Sequence, residues 1–151
     1  LTDVTGVQTC ALPIYYSKAP YWKVYESFLY ETLSHSWSSL IDLDLHFMDF
    51  LAKEFGILTE RRLLSDIPIT FGPDKTKSLV ELTQAVKADM FLEGASGRNF
   101  IDVKQFEEAG LGIQFQDYVP SPYRQQFFPF IPYLSALDLL LNEGPEGTQF
   151  I

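Results

Sequence analysis

Three polar residues near the carboxyl end of the chain have the types and spacing that proton transfer requires. Ser135, Asp138 and Asn142 stand at positions i, i+3 and i+7, so on a helix they share one face. A carboxylate and an amide there can face a substrate hydroxyl or amine, with the carboxylate as general base. We therefore predict Asp138 and Asn142 as catalytic residues and Ser135 as a ligand contact. The alternatives are an amphipathic helix with a solvated polar stripe, or Ser135 as a helix cap.

A glycine-containing turn suggests a second kind of chemistry, the binding of an anion. It runs over Gly94-Ala-Ser-Gly-Arg-Asn99, between an expected strand and an expected helix. Glycines permit close backbone approach, free N–H groups at a helix start attract anions, and an arginine can add a bidentate contact. The predicted anion-binding residues are Gly94, Ser96, Gly97, Arg98 and Asn99. The alternative is a tight connection with a solvent-facing arginine and with Asp102 as helix N-cap.

A proline-containing loop carries two residues suited to a sugar. Tyr123 and Gln125 can hydrogen-bond a sugar, and an aromatic ring can stack on its face. Alternatively, the aromatic side chains of this loop only cover the core. His35 and His46 have no further ligand at metal spacing, so we predict no metal site, and we predict no cofactor.

Alternating helices and short strands must position these residues. Apolar spacing predicts helices over residues 20–33, from 38 or 39 to 55, and over 78–88, 102–109 and 134–142. Short apolar or alternating runs predict strands at 57–64, 90–92 and 113–118, the second of them buried. This order is typical of an α/β domain with a mostly parallel sheet and flanking helices.

Composition limits the classes of partner. The 151 residues are 46% hydrophobic and 21% charged, which is ordinary for a globular protein. A net charge of −9 argues against nucleic acid, whereas a nucleotide-sugar or other small anionic ligand needs only a few local donors. No apolar stretch is long enough to span a membrane. The single cysteine, Cys10, fits a reducing compartment, so we expect a cytoplasmic protein.

The first 14 residues differ in character from the rest. Residues 4–14 have no sustained helical period and resemble the translation of a short-read sequencing adapter. We therefore predict that residues 1–14 are non-native and that residues 15–151 are the C-terminal part of an α/β domain lacking its N-terminal part. The alternatives are a native N-terminal strand or a secretory signal, although a signal would need a basic start and a longer apolar run.

An ordered series of short motifs resembles the WbqC-like protein family. The series begins with Gly94-Ala-Ser-Gly-Arg-Asn-Phe-Ile-Asp102 and continues with Phe106-Glu-Glu-Ala-Gly110 and Phe115-Gln-Asp-Tyr118. It ends with Phe130-Ile-Pro-Tyr-Leu-Ser-Ala-Leu-Asp-Leu-Leu-Leu-Asn142 and Gly144-Pro145. Upstream, Lys18-Ala-Pro-Tyr21 and residues 75–88 are also similar, so the resemblance covers nearly all of residues 15–146.

The chain also departs from the family pattern. Glu93 and Ala95 stand where Ser and Pro are expected, and Asn99 and Pro120 stand where Asp and His are expected. The family's N-terminal stretch of the type Q-P-x-Y-L-P-W is absent. An active site shared between the two parts of such a protein would therefore be incomplete in this chain.

The resemblance implies a role in bacterial O-antigen or other surface-polysaccharide synthesis, acting on a nucleotide-linked or amino sugar. We predict group transfer as the reaction, with residues 94–102 near an anionic group and Asp138 near the reacting centre. The alternative is a non-catalytic binding or assembly component of the same pathway. Perturbed carboxylates converging with Arg98 in one pocket would favour the enzyme. A solvent-facing stripe of Ser135, Asp138 and Asn142 that is remote from the turn at 94–99 would favour the alternative.

Overall fold

A computed structural model describes residues 11–151, so residues 1–10 of the predicted non-native segment lie outside the described residues. The chain divides into two compact units, each described here by itself. The first unit joins the described residues up to Thr59 with Pro120–Ile151, and the second unit is Glu60–Val119.

Helices build the first unit. Residues 11–16 are helical, and three longer helices follow in the chain: α1 (Trp22–Ser34), α2 (Leu40–Glu54) and α5 (Ala136–Glu143). A 3-10 helix, Gly144–Phe150, follows α5. The bounds of α1, α2 and α5 confirm the three helices predicted for this part of the chain, within the one or two residues by which helix ends vary.

The core of the first unit lies between α1 and α5. Trp22, Tyr25 and Leu29 stand at i, i+3 and i+7 on α1, and all three are buried. They pack in one cluster with the consecutive residues Leu139, Leu140 and Leu141 of α5. Because three successive leucines point in different directions around α5, that helix is enclosed on most of its circumference. A polar side chain on α5 is therefore buried unless it lies at the helix end.

The second unit contains a small parallel sheet. Strand β1 (Met90–Gly94) pairs in parallel with β2 (Gly112–Gln116), in a register from Met90 opposite Gly112 to Gly94 opposite Gln116. Two helices belong to this unit, α3 (Lys75–Ala85) and α4 (Val103–Glu108), and α4 lies in the crossover between the strands. The predicted α/β class with a parallel sheet and flanking helices is confirmed.

Capping side chains fix the starts of both helices of the second unit. Asp102 accepts a hydrogen bond from the Lys104 backbone N–H at 3.1 Å, which confirms it as the N-cap of α4. Asp74 accepts one from the Lys77 N–H at 3.0 Å. The prediction that α3 begins at residue 78 was therefore wrong by three residues, because Asp74 caps the helix upstream of the apolar residues on which that prediction rested.

The predicted strand at 57–64 is not formed. Residues 57–63 have no regular structure, and Leu64–Asp66 is a 3-10 helix. The charged run Glu60-Arg61-Arg62 interrupts the apolar pattern, and a strand needs a partner to satisfy its backbone groups. Among the described residues the sheet accordingly has two strands.

Strand β1 is buried on one face only, contrary to the prediction. Phe91 stacks on Phe106 of α4 with ring centroids 5.5 Å apart, whereas Leu92 is 60% exposed and Met90 is also exposed. A short apolar run cannot distinguish burial on one face from burial on two. The covered face belongs to a small core built around Val80, Ile101 and Phe106.

Candidate functional site

Asp138 lies in the first turn of α5 and is buried. The helix begins after Ser135, whose Oγ accepts a hydrogen bond from the Leu137 backbone N–H at 3.2 Å, so Ser135 is the N-cap and is exposed. Asp138 is only 5% exposed and Asn142 only 4%. The alternative prediction of a solvated stripe was therefore wrong for both residues, because leucines surround them on the helix. Ser135 as the cap is confirmed.

Three side chains converge on the Asp138 carboxylate. Tyr16 Oη donates to Oδ1 at 2.8 Å, and Tyr123 Oη donates to Oδ2 at 2.5 Å. Gln125 Nε2 also donates to Oδ2, at 3.3 Å. We call Asp138, Tyr16, Tyr123 and Gln125 the Asp138 network. It joins α5, the helical stretch at 11–16 and the proline-containing loop, which are far apart in the sequence.

The two loop residues of the network are themselves held in place. Gln125 donates to the Ile131 carbonyl at 2.9 Å and accepts from the Ile131 N–H at 2.8 Å, so its amide closes the loop. The Tyr123 ring lies edge-on to Phe130 at a centroid distance of 5.3 Å. Both side chains therefore order the loop and bind the carboxylate, and their contact with a sugar stays a prediction.

Within the Asp138 network, the pKa of the Tyr16 phenol is shifted. Burial, and after it the hydrogen bond to Asp138, raises the pKa of the Tyr16 phenol well above its usual range. The phenol therefore stays protonated and keeps donating to the carboxylate. Within the described part of the chain, Asp138 forms no ion pair, and its three side-chain donors are uncharged groups.

A cleft in the first unit borders the Asp138 network. Its volume is about 470 Å3, and its polar lining consists of Ser17, Lys18, Arg124, Gln125, Gln126 and Asn142. Tyr15 and Phe127 add aromatic rings to the wall. Gln125 and Asn142 belong to the cleft and also contact Asp138, so the cleft and the buried carboxylate are neighbours. This volume lies in the range of small-molecule sites.

The predicted anion-binding turn has a different environment. Ala95–Asn99 forms a 3-10 helix, and Arg98 makes two parallel hydrogen bonds to Asp117, at 2.7 and 2.6 Å. The guanidinium also lies 5.0 Å from the centre of the Phe115 ring. Arg98 is thus already engaged by a carboxylate, and an anionic ligand would have to replace Asp117.

The two glycines of that turn differ in their surroundings. A Cβ added to Gly97 would lie 2.3 Å from Glu93 Cγ, so this glycine allows close packing within the unit. A Cβ on Gly94 would meet nothing within 4 Å. Ser96 and Asn99 are exposed. A cavity of about 390 Å3 in the second unit is lined by residues between Glu60 and Phe91 and includes none of residues 94–99. Anion binding at this turn stays a prediction.

The structure therefore brings together one part of the predicted site. Tyr123, Gln125, Asp138 and Asn142 lie together in the first unit, whereas Gly94, Ser96, Gly97, Arg98 and Asn99 belong to the second. Sequence reasoning missed Tyr16, which is separated from Asp138 by 122 positions, and it missed Arg124. Lys18 stood in a motif that resembled the family, but no role was predicted for it.

The described residues hold no cluster of three or more His, Cys, Asp or Glu side chains suited to a metal ion. His46 Nε2 instead lies 3.1 Å from the Thr32 hydroxyl, and its ring stacks on Phe28. None of the helices that the structure describes is both long and apolar enough to cross a bilayer.

Comparison with known proteins defines the family. The model of the WbqC-like protein family matches residues 8–150, and the chain belongs to this family. The chain is similar to Rv1507c, an uncharacterized protein of Mycobacterium tuberculosis strain H37Rv, at 28% identity over 99% of this chain. It spans 65% of the length of that curated relative. No solved structure matches the chain significantly. The family match includes residues 8–14, part of the segment predicted to be non-native.

Proposed function

We propose that the cleft and the Asp138 network form a site for group transfer on a nucleotide-linked or amino sugar, in O-antigen or other surface-polysaccharide synthesis. One observation carries the proposal: a buried carboxylate receives hydrogen bonds from three side chains of two separate segments, beside a ligand-sized cleft. Burying a carboxylate without a cation is costly. A fold that maintains such a group next to a cleft favours a functional role.

In this proposal Asp138 acts as the general base through a tyrosine. Tyr123 Oη already donates its proton to the carboxylate. A hydroxyl or amine of an acceptor sugar attacks the anomeric carbon of the nucleotide-linked sugar, whose bond to the diphosphate oxygen breaks, so that the nucleoside diphosphate leaves with the electron pair. The acceptor gives its proton to the Tyr123 phenol oxygen, and the phenol passes its own proton to Asp138. The tyrosine ends as it began, and the carboxylate becomes a carboxylic acid. Tyr16, whose phenol stays protonated, holds the other carboxylate oxygen.

The first test is ligand binding by thermal shift. The chain is screened against nucleotide-sugars, their parent nucleotides and free amino sugars. A ligand at 100 times its dissociation constant contributes about 2.7 kcal/mol, which raises the melting temperature by several degrees. For every nucleotide-sugar that binds, mass spectrometry then follows release of the nucleoside diphosphate and transfer of the sugar to an added amino sugar. No stabilisation by any nucleotide-sugar or amino sugar would contradict the proposal.

Variants then connect the activity to the network. We expect Asp138→Asn and Tyr123→Phe each to lower the transfer rate at least about tenfold, because each breaks the relay. Tyr123→Phe keeps the aromatic packing and serves if Asp138→Asn folds poorly. Asp44→Asn, at an exposed position of α2, is the control and should leave the rate unchanged. Equal rates in all three variants would remove Asp138 from the mechanism.

A non-catalytic binding role is the second candidate, and one observation favours it. Both carboxylate oxygens of Asp138 already accept hydrogen bonds from protein donors, as in a group that only orders a loop. Two results would favour this candidate over the enzyme. The protein would bind a nucleotide-sugar without transferring it to any acceptor, and Tyr123→Phe would retain that binding.

The remaining parts of the proposal concern the whole protein. The curated relative is longer than this chain, so the activity and partners of a complete family member are proposals. A domain completed by an N-terminal part, with residues 1–14 non-native, belongs to the same proposal. So does a cytoplasmic location, which is supported by a cysteine content too low for an internal disulfide.

A further inference from the structure

Two cationic side chains line the cleft from separate segments. Lys18 follows the helical stretch at 11–16, and Arg124 lies in the proline-containing loop between Tyr123 and Gln125. Neither forms an ion pair with any described residue. The protein carries a net charge of −9, so two cations at one cleft stand out against the rest of its surface. Such a pair favours an anionic ligand.

Two described carboxylates of the first unit, those of Glu143 and Asp138, are engaged by other groups and form no ion pair with these cations. Glu143 Oε1 accepts a hydrogen bond from the backbone N–H of Arg124 at 3.0 Å, which fixes the loop without pairing with the guanidinium. Asp138 is enclosed by its own network. The Arg124 guanidinium, with its planar set of donors, and the Lys18 ammonium, a compact point charge, therefore both remain available to phosphate oxygens.

Asn142 contributes an acceptor at the base of the same cleft. Its Nδ2 donates to the Asp138 backbone carbonyl at 2.8 Å. Because a carbonyl oxygen only accepts, this bond fixes the orientation of the amide and directs Oδ1 away from the helix backbone. The side chain is 4% exposed and lines the cleft, and Oδ1 has no partner among the residues described. Because no buried side-chain nitrogen or oxygen of the described residues lacks a partner, Oδ1 reaches the open cleft, where a ligand hydroxyl or amine can donate to it.

From these three groups we infer that the cleft binds a diphosphate-linked sugar, with Lys18 and Arg124 on the diphosphate and Asn142 Oδ1 on a hydroxyl or amino group of the sugar. This inference rests on the proposed function and assigns its ligand contacts. The cleft, at about 470 Å3, is much larger than an inorganic anion requires. Tyr15 and Phe127 supply flat apolar surface for the remaining part of the ligand.

Calorimetric titration with inorganic pyrophosphate tests the anion site alone. Wild-type protein should bind pyrophosphate, and Lys18→Gln and Arg124→Gln should each weaken binding at least about tenfold, as expected for a lost charge-assisted hydrogen bond. Lys53→Gln, at an exposed position in the last turn of α2, removes the same charge outside the cleft and should have little effect. No binding by the wild type, or an equal loss in Lys53→Gln, would overturn the inference.

Asn142→Ala tests the sugar contact. We expect this variant to bind UDP-N-acetylglucosamine about tenfold more weakly and to bind pyrophosphate as the wild type does. Pyrophosphate binding also reports that the variant is folded. If Asn142→Ala fails to fold, the competition between UDP and UDP-N-acetylglucosamine in the wild type decides, because no preference for the sugar-bearing ligand would contradict a sugar contact.

The outcomes separate this inference from the proposed function. Pyrophosphate binding that depends on Lys18 and Arg124, without any group transfer, would support the ligand assignment and leave the enzyme contradicted. Group transfer on a nucleotide-sugar that is unchanged in Lys18→Gln and Arg124→Gln would support the function and overturn the ligand assignment.

Discussion

Individual residues of the first unit show how polar groups are buried within a helical core. Asp138 accepts hydrogen bonds from neutral donors, among them the phenols of Tyr16 and Tyr123. Tyr25 and Glu54 form the same kind of pair, since Tyr25 Oη donates to Glu54 Oε2 at 3.0 Å. In both cases a phenol donates to an acid, so each pair is stable while the phenol is protonated and the acid ionised. Raising the pH therefore weakens these hydrogen bonds, because the phenol loses the proton that it donates.

Tyr25 allows this effect to be measured. Burial, and then the hydrogen bond to Glu54, raises the pKa of Tyr25 to about 12. Since the folded pKa exceeds the unfolded value of about 10, the contribution is complete below pH 10 and is lost as the pH rises toward 12. Between pH 9 and pH 11 the wild type should lose about 1 kcal/mol more than Tyr25→Phe, which cannot ionise. Urea unfolding at both pH values measures this.

The same experiment contains its own control at lower pH. At pH 8 Tyr25→Phe should be less stable than the wild type by about 1 kcal/mol, the typical contribution of one hydrogen bond. A stability difference between the two proteins that stays constant from pH 8 to pH 11 would contradict the assigned pKa.

At the scale of elements, the end of α5 determines how closely α1 approaches. The Tyr21 backbone N–H donates to the Leu141 carbonyl at 3.1 Å, so the start of α1 meets the last turn of α5. Gly144 ends α5 with a φ of +64°, and a Cβ there would lie 2.4 Å from the Tyr21 ring. Glycine is therefore needed at position 144 for two reasons: it adopts the positive φ, and it leaves room for the Tyr21 ring.

A pair of glycine substitutions separates these two requirements. Gly56, at the end of α2, has a φ of +67° and nothing within 4 Å of an added Cβ. Gly56→Ala should cost about 1 kcal/mol, the conformational part alone. Gly144→Ala should cost about 1–3 kcal/mol more, because the Tyr21 ring must move. Chemical unfolding of both variants gives the comparison, and equal losses would show that the ring adapts freely.

The whole molecule consists of two units with separate cores. The core of the second unit is small. In it, Phe106 of α4 is completely buried and packs with Val80 of α3 and with the sheet residues Phe91, Ile113 and Phe115. A unit with so few buried side chains should depend strongly on each of them. The candidate site in the first unit does not use this core.

Two phenylalanines of the second unit test its dependence on that core. Phe106 is 0% exposed and Phe100 is 57% exposed. Phe106→Ala should destabilise residues 60–119 by about 3–5 kcal/mol, whereas Phe100→Ala should change stability by no more than about 0.5 kcal/mol. Amide hydrogen exchange across residues 60–119 provides the readout. Similar protection in both variants would show that Phe106 is not the centre of this core.

The sequence determined the local features of this protein. Apolar spacing and end residues located α1, α2 and α5, and Asp102 and Ser135 were identifiable as caps, because helix starts depend on nearby residues. The ordered motifs from residue 94 to 145 identified the family, which the match over residues 8–150 confirms. Tyr123, Gln125, Asp138 and Asn142 were recognised as candidates from their types and spacing.

Only the tertiary structure decided what these residues contact. The spacing of Ser135, Asp138 and Asn142 fitted a solvated stripe as well as a buried one, and the packing of α1 against Leu139, Leu140 and Leu141 resolved the question. Tyr16 joined the network across 122 positions, a separation that no local pattern records. Arg98 pairs with Asp117, and the run at 57–64 has no partner strand among the described residues. Burial and pairing depend on distant segments, and helix caps do not.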